Sequence, residues 1–343
     1  MSIKVVGIDL AKHTFQVAKM QYDGTILSNT KVRRNLLEEV IAHLPKGTDI
    51  AMEACASSHH WGRTFQAMGH QVILLPPQDV KAMAKTQKND ANDAVAICET
   101  AFRPKVHPVP VKSLNQQDIK SLRAIRSLTV RQRTALANQL RGLAAEYGLI
   151  LPRGISTLPQ KLEEALETPD NGLTEMLRIL LAQSLEQLKA FTLRIKQLER
   201  HLAEHSKAQS DYQRLLEMPG IGPIIAASTL SEIDKGQQFS RGRQFSAWIG
   251  LVPRQFTSGG IPKLGRTTKH GNRELRVLFI HGARSVFRHV EHRQDPMGEW
   301  LRTLVARRGR NKAIVALANK LARVCWHLLS SGERYDVRKA FAR

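Results

Sequence analysis

Apolar and polar positions alternate or cluster along the front of the chain in a way that predicts strands first and helices afterwards. Ile3–Leu10 reads as a buried strand, Thr14–Gln21 as a second and Gly24–Val32 as a third, with Tyr22-Asp23-Gly24 supplying turn chemistry between the last two. Leu36, Leu37, Val40 and Ile41 recur at helical spacing within Asn35–His43, and Thr48–Ala54 returns to a strand pattern. Ser57–Met68 suits a helix and Gln71–Leu75 a short buried strand, which Pro76-Pro77 stops. A run of strands followed by alternating helix and strand predicts a mixed sheet covered by helices.

The pattern changes after Arg103. Three prolines in Arg103–Pro110 exclude a helix and predict a semi-rigid connector. Ser113–Tyr147 is a long helical pattern, with Leu122, Ile125, Leu128, Leu136, Leu140 and Leu143 on one face and Arg123, Arg126, Arg131, Arg133 and Arg141 largely on others. A second helical stretch, from about Pro159 to His205, breaks near Thr168–Gly172. Leu185, Leu188, Phe191, Ile195, Leu198 and Leu202 there approach heptad spacing, which suits either an antiparallel pair within one chain or self-association. Leu215–Ser228 then predicts helix, tight Pro-Gly-Ile-Gly turn, helix, and Lys312–Leu329 another amphipathic helix. The expected fold class is α/β plus all-α in three parts: a mixed-sheet domain over 1–103, a coiled-coil-like helical spacer over 104–209, and a mostly helical basic domain over 210–343.

Charge sharpens this division. The net charge of +22 splits into +2 for residues 1–103, +6 for 104–209 and +14 for 210–343, so polyanion binding is expected mainly at the back. The arginines of the spacer, and Arg293, Arg302, Arg307, Arg308 and Arg310 further on, are candidates for nucleic-acid backbone contacts. Three cysteines without paired spacing suggest neither a disulfide framework nor a zinc site. No apolar run approaches a membrane span, so a soluble cytoplasmic protein with no membrane partner is expected.

Four acids stand out. Asp9 and Glu53 each close a strand pattern, where an unpaired charge is expensive. Asp90 and Asp93 share one face of the helix predicted from Lys88–Thr100. Acids are favoured in a first helical turn by the macrodipole, and Glu53 could pair with Lys4 or Arg63, so each has an ordinary explanation. If the first and fourth strands are neighbours, however, four oxygen ligands converge, the donor set that Mg²⁺ or Mn²⁺ prefers. His13, His59 and His60 are then surface or substrate-contacting residues. In the basic third, Gly220 and Gly222 could let backbone N–H groups approach a phosphate. Ser258 precedes two glycines in an expected loop among Arg254, Lys263, Arg266, Lys269, Arg273 and Arg276. Cations stabilise an alkoxide and phosphorane charge, although a plain Ser-Gly turn has the same local sequence.

The order and placement of the acids over Ile3–Ala101, with Lys88-Asn-Asp90-Ala-Asn-Asp93-Ala, resemble the RNase H-like superfamily, specifically Holliday-junction resolvases and the DEDD transposases of bacterial insertion sequences. Pro-Gly-Ile-Gly-Pro, Phe245-Ser-Ala-Trp-Ile-Gly-Leu-Val-Pro, Ser258-Gly-Gly and Lys269-His-Gly-Asn-Arg273 resemble the C-terminal domain that accompanies it, with His270 where Arg or Lys is common. The resemblance implies a metal-dependent recombinase in which Asp9, Glu53, Asp90 and Asp93 hold Mg²⁺ or Mn²⁺ and Ser258 is the strand-exchange nucleophile. It implies donor and target DNA, an element-encoded bridge RNA as guide, and a homo-oligomer, a dimer assembling to a tetramer. A metal-only nuclease or resolvase and a non-catalytic packaging protein are the competing readings; clustered carboxylates speak against the second.

Overall fold

A computed structural model describes residues 3–83, 89–104 and 106–342. The chain divides into two compact units, 1–114 and 115–343. Most of the expected spacer and all of the expected C-terminal domain lie in the second unit.

In the first unit, β1 (Ile3–Asp9), β2 (Thr14–Gln21) and β3 (Ile26–Arg33) form the expected antiparallel meander. At the β2–β3 turn Gly24 adopts φ +88° and Asp23 accepts from the Thr25 N–H. β4 (Asp49–Glu53) pairs in parallel with β1, and β5 (Gln71–Leu75) in parallel with β4, giving the order β3-β2-β1-β4-β5. Two helices, α1 (Leu37–Ala42) and α2 (Ser58–Ala67), cover one face, where Leu37, Ile41, Trp61 and Phe65 meet Val6, Ile8, Phe15 and Met52. The other face is covered by α3 (Pro77–Met83) and α4 (Asp90–Ala101), whose Val80, Ala94, Ile97 and Cys98 pack with Val5, Ala18 and Ala51. Pro77 ends the strand as expected but also opens α3, the helical position where its missing N–H costs nothing.

In the second unit, α5 (Leu114–Ala145), α6 (Leu158–Glu167) and α7 (Glu175–Lys207) follow the expected long helices and their break. Their shared core joins Ala137, Leu140, Leu162, Leu181, Leu185 and Leu188. The heptad-like stripe of α7 is thus buried inside the chain's own core at Leu185 and Leu188, and again at Leu202. The apolar face expected on α5 is rotated: Ile119, Ala137 and Leu140 are buried, while Ile125, Leu128 and Leu143 are exposed.

Beyond these, α8 (Ser210–Leu216), α9 (Pro223–Ile233), α10 (Gly242–Trp248), α11 (Arg273–Phe287), α12 (Pro296–Arg308), α13 (Arg310–Ser331) and α14 (Val337–Ala340) build the larger core, which Ile119 of α5 and Leu202 of α7 enter. Arg123 of α5 is buried and donates to Glu232 at 2.8 Å and Glu274 at 2.9 Å, tying α5 to α9 and α11. Between α10 and α11 projects a hairpin the sequence pattern did not predict, β6 (Pro253–Ser258) and β7 (Ile261–Thr267). Among the described residues no helix is long and apolar enough to cross a membrane.

Candidate active site

Strand parity decides which side chains meet at the end of the first sheet. Val6 and Ile8 point into the α1–α2 core, so Gly7 and Asp9 share the opposite face with Val5. By the same alternation Glu53 shares that face with Ala51. Ile8 pairs with Met52 in the parallel register, so Asp9 and Glu53 follow as neighbours at the ends of adjacent strands. Gln16 lies opposite Asp9 on β2, and Lys31 opposite Gln16 on β3. Burial pushes the Cys55 thiol up, and the charges of Glu53 and Asp9 push it further, so both carboxylates reach this one neighbourhood. Beyond Glu53, Ser57 takes a left-handed φ of +68°, a conformation uncommon outside glycine, as the chain turns into α2.

The first turn of α4 reaches this edge because β1 carries no side chain at Gly7. An added Cβ there would lie 2.6 Å from the Ala94 carbonyl oxygen and 2.5 Å from the Cys98 sulfur. Asp93 is half-buried, one turn before Ile97 on the sheet-facing stripe, while Asp90 is exposed and faces Lys31 at 3.8 Å. Asn89 caps the helix by accepting from the Asn92 N–H. Lys88, the basic residue of the motif, lies outside the described residues. Among the described residues no three His, Cys, Asp or Glu side chains stand close enough to bind one ion. The four expected ligands thus share one end of one face, with Asp9 and Glu53 side by side and the helix pair beyond them. Their all-oxygen chemistry suits a hard cation. His13 and His60 are exposed, and the His59 Nδ1 accepts from the Lys112 N–H at 3.2 Å.

The second unit places Ser258 differently from the expected loop. It is the last residue of β6, paired with Ile261 across Gly259 and Gly260. These glycines have φ of +57° and +76°, the positive pair that a two-residue type I′ turn requires. Register puts Ser258 on one face with Phe256, Ile261 and Lys263, and Arg254 by alternation, while Gln255 and Leu264 occupy the other; the register shifts before Thr267, beside Arg266. Every residue from Pro253 to Arg266 is exposed.

The hairpin's base is built by a residue expected to touch nucleic acid. Arg276 is buried, and its guanidinium donates to the carbonyls of Ile249 at 2.9 Å and His270 at 2.8 Å. It fastens the two ends of the hairpin segment to α11, an internal role beside the backbone contact expected of it. Lys269 and Arg273 remain exposed. Gly220 packs closely on α11, where a Cβ would stand 2.8 Å from the Gly282 carbonyl oxygen, and with Gly222 it lines a cavity. Gly222, which caps α9, faces open space and keeps its N-terminal position accessible. Several other cations expected on the surface have internal partners: Arg126 pairs with Glu199, Arg141 donates to Pro152 and Arg153 carbonyls, Arg293 pairs with Asp295, and Arg302 donates to Val290 and Arg293 carbonyls. Arg131, Arg307 and Arg308 are exposed.

Two family profiles match this chain: one described as "Transposase", of the DEDD type of IS110 elements, over residues 6–148, and one described as "Transposase IS116/IS110/IS902 family" over residues 212–297. A probable family 20 transposase of Pseudomonas aeruginosa is 42% identical, with 96% of this chain and 98% of that protein covered. The transposase for insertion sequence element IS1111A of Coxiella burnetii is 41% identical over 97% of this chain and 91% of its own length. That for IS1328 of Yersinia enterocolitica is 34% identical over 96% and 98%. The carboxylate edge falls in the first matched region and the serine hairpin in the second, and the chain belongs to the IS110 family of insertion-sequence transposases.

Proposed function

We propose that this transposase cuts and rejoins DNA through a covalent bond between Ser258 and a DNA phosphate, with the carboxylate edge of an RNase H-like first unit assisting. The observation that carries the reading is the placement of Asp9 and Glu53 at adjacent strand ends, one step beyond the Ile8–Met52 pair, on the face covered by the helix that bears Asp90 and Asp93. Asp9 and Glu53 would hold Mg²⁺ or Mn²⁺, with Asp90 and Asp93 as the further oxygen ligands that the family resemblance implies. Such an ion, when bound, lowers the charge that an attacking oxygen must approach on the phosphate.

The serine's exposed position supports its part. At the tip of an exposed hairpin, beside Lys263 and Arg254, its Oγ can approach a phosphate without burying bulk. It attacks phosphorus and loses its proton, the bond to the leaving strand's oxygen breaks, and that oxygen is protonated. The phosphoserine ester conserves the bond until a hydroxyl of the new partner strand attacks the same phosphorus and frees the serine. Guidance by a bridge RNA and assembly into a dimer and then a tetramer complete the reading; the positive charge of residues 104–343 supports polyanion holding on this scale.

Asp93→Asn tests the metal edge. It keeps the side chain's shape and removes its charge, so strand cleavage should be lost while DNA affinity at low salt is retained; wild-type cleavage rates would refute the assignment. Protein purified from cells should carry RNA, and RNA-free protein that recombines normally would refute guidance.

A further inference from the structure

At the same end of the first sheet as Asp9, a cleft of about 660 Å³ opens on the α1–α2 side. It starts where Thr14, the first residue of β2, pairs with Arg33, the last of β3. His13, Arg33, Arg34 and His60 line it, with Glu38 as the one carboxylate and Trp61 at its inner wall. Residues 1–103 carry a net charge of only +2, so this grouping is a local excess of cationic and protonatable groups.

Arg34 is held ready for a ligand. Its guanidinium carbon lies 5.6 Å from the Phe15 ring centre and 5.4 Å from that of Trp61, and its backbone N–H donates to the His13 carbonyl at 2.9 Å. Two aromatic contacts hold the guanidinium at this wall of the cleft while leaving its donors to other partners. Neither Arg33 nor Arg34 makes an ion pair among the described residues. Trp61 is only 3% exposed, and its indole N–H has no acceptor among the described residues. Buried polar groups are ordinarily paired, so an orphaned donor beside unpaired guanidinia marks a place where an acceptor from outside completes the structure.

We propose that this cleft binds the phosphodiester backbone of the DNA strand being cut, with Arg33 and Arg34 as positioning residues. A polyanion brought to an edge of carboxylates is repelled unless cations are fixed nearby, and this cleft supplies them at that end of the sheet. The proposal rests on the reading of the Asp9–Asp93 edge as the DNA-cutting site.

The test uses the full-length protein with a labelled DNA duplex and no divalent metal, measuring affinity across a salt series. Arg33→Gln should lower the slope of log affinity against log salt by about 1, and Arg33→Gln with Arg34→Gln by about 2, since each phosphate contact contributes about 0.9. Arg34→Lys should keep the slope while weakening binding, because it preserves charge and loses the guanidinium's forked donors. Trp61→Phe should weaken binding at an unchanged slope. An unchanged slope in Arg33→Gln, or a fall seen with RNA but not with DNA, would overturn the proposal. A lowered slope together with normal cleavage by Asp93→Asn would leave this site standing and remove the cutting assignment instead.

Discussion

Asp9 and Glu53 stand one register step beyond the Ile8–Met52 pair, at the ends of two parallel strands and on the face that α4 covers. The approach of α4 to that face depends on Gly7, where no side chain separates the strand from the Ala94 carbonyl. Gly7→Ala should destabilise the protein by about 1–3 kcal/mol, the usual cost of overpacking, and lower strand cleavage by shifting the acids of α4. Gly222→Ala, which meets nothing within 4 Å and has an ordinary φ of −92°, should cost less than about 1 kcal/mol, the small loss of replacing a glycine N-cap by alanine. Urea unfolding of the two variants checks the contrast, and equal effects would contradict it.

Arg123 joins three helices through two carboxylates, one of them, Glu232, largely buried. Arg123→Ala should cost roughly 3–5 kcal/mol, because it takes a buried ion-pair partner from Glu232. A loss under about 1 kcal/mol in denaturant melts, the range of exposed pairs, would show that the cluster is solvated.

Cys98 lies between α4 and β1, and burial pushes its thiol from 9.0 to about 12. The raised value means that the folded state holds the proton more tightly than the unfolded state. The contribution is fully present below pH 9 and is lost as pH rises from there toward 12, by an amount on the order of 4 kcal/mol at most. Cys98→Ala should therefore flatten the decline in stability between pH 8 and 11 relative to wild type. Parallel pH profiles for the two proteins would contradict the buried thiol.

Much of the fold was legible in the sequence where local pattern and tertiary need agree. The meander could be read from β-branched alternation and Asp23-Gly24, and the helical break from Thr168–Gly172. The β6–β7 hairpin was not, because both its faces are exposed and so no apolar alternation marks it; Gly259-Gly260 was the available signal. The inward turn of Arg276 and the contact of Gly220 with Gly282 arise from distant partners, which a local reading cannot supply. The four acids were legible as residues, but the adjacency of Asp9 and Glu53 depends on the parallel register of β1 with β4.

Covalent capture of DNA by Ser258 is the most direct measurement of the central claim. Reactions of the full-length protein on end-labelled DNA carrying the element's junctions would be stopped with denaturant and resolved for label travelling with protein. The account predicts an adduct in wild type that maps to Ser258, and its loss along with all recombination in Ser258→Ala. Normal cleavage by Ser258→Ala, with no adduct in wild type, would contradict the account and leave a nuclease that directs water at the phosphate.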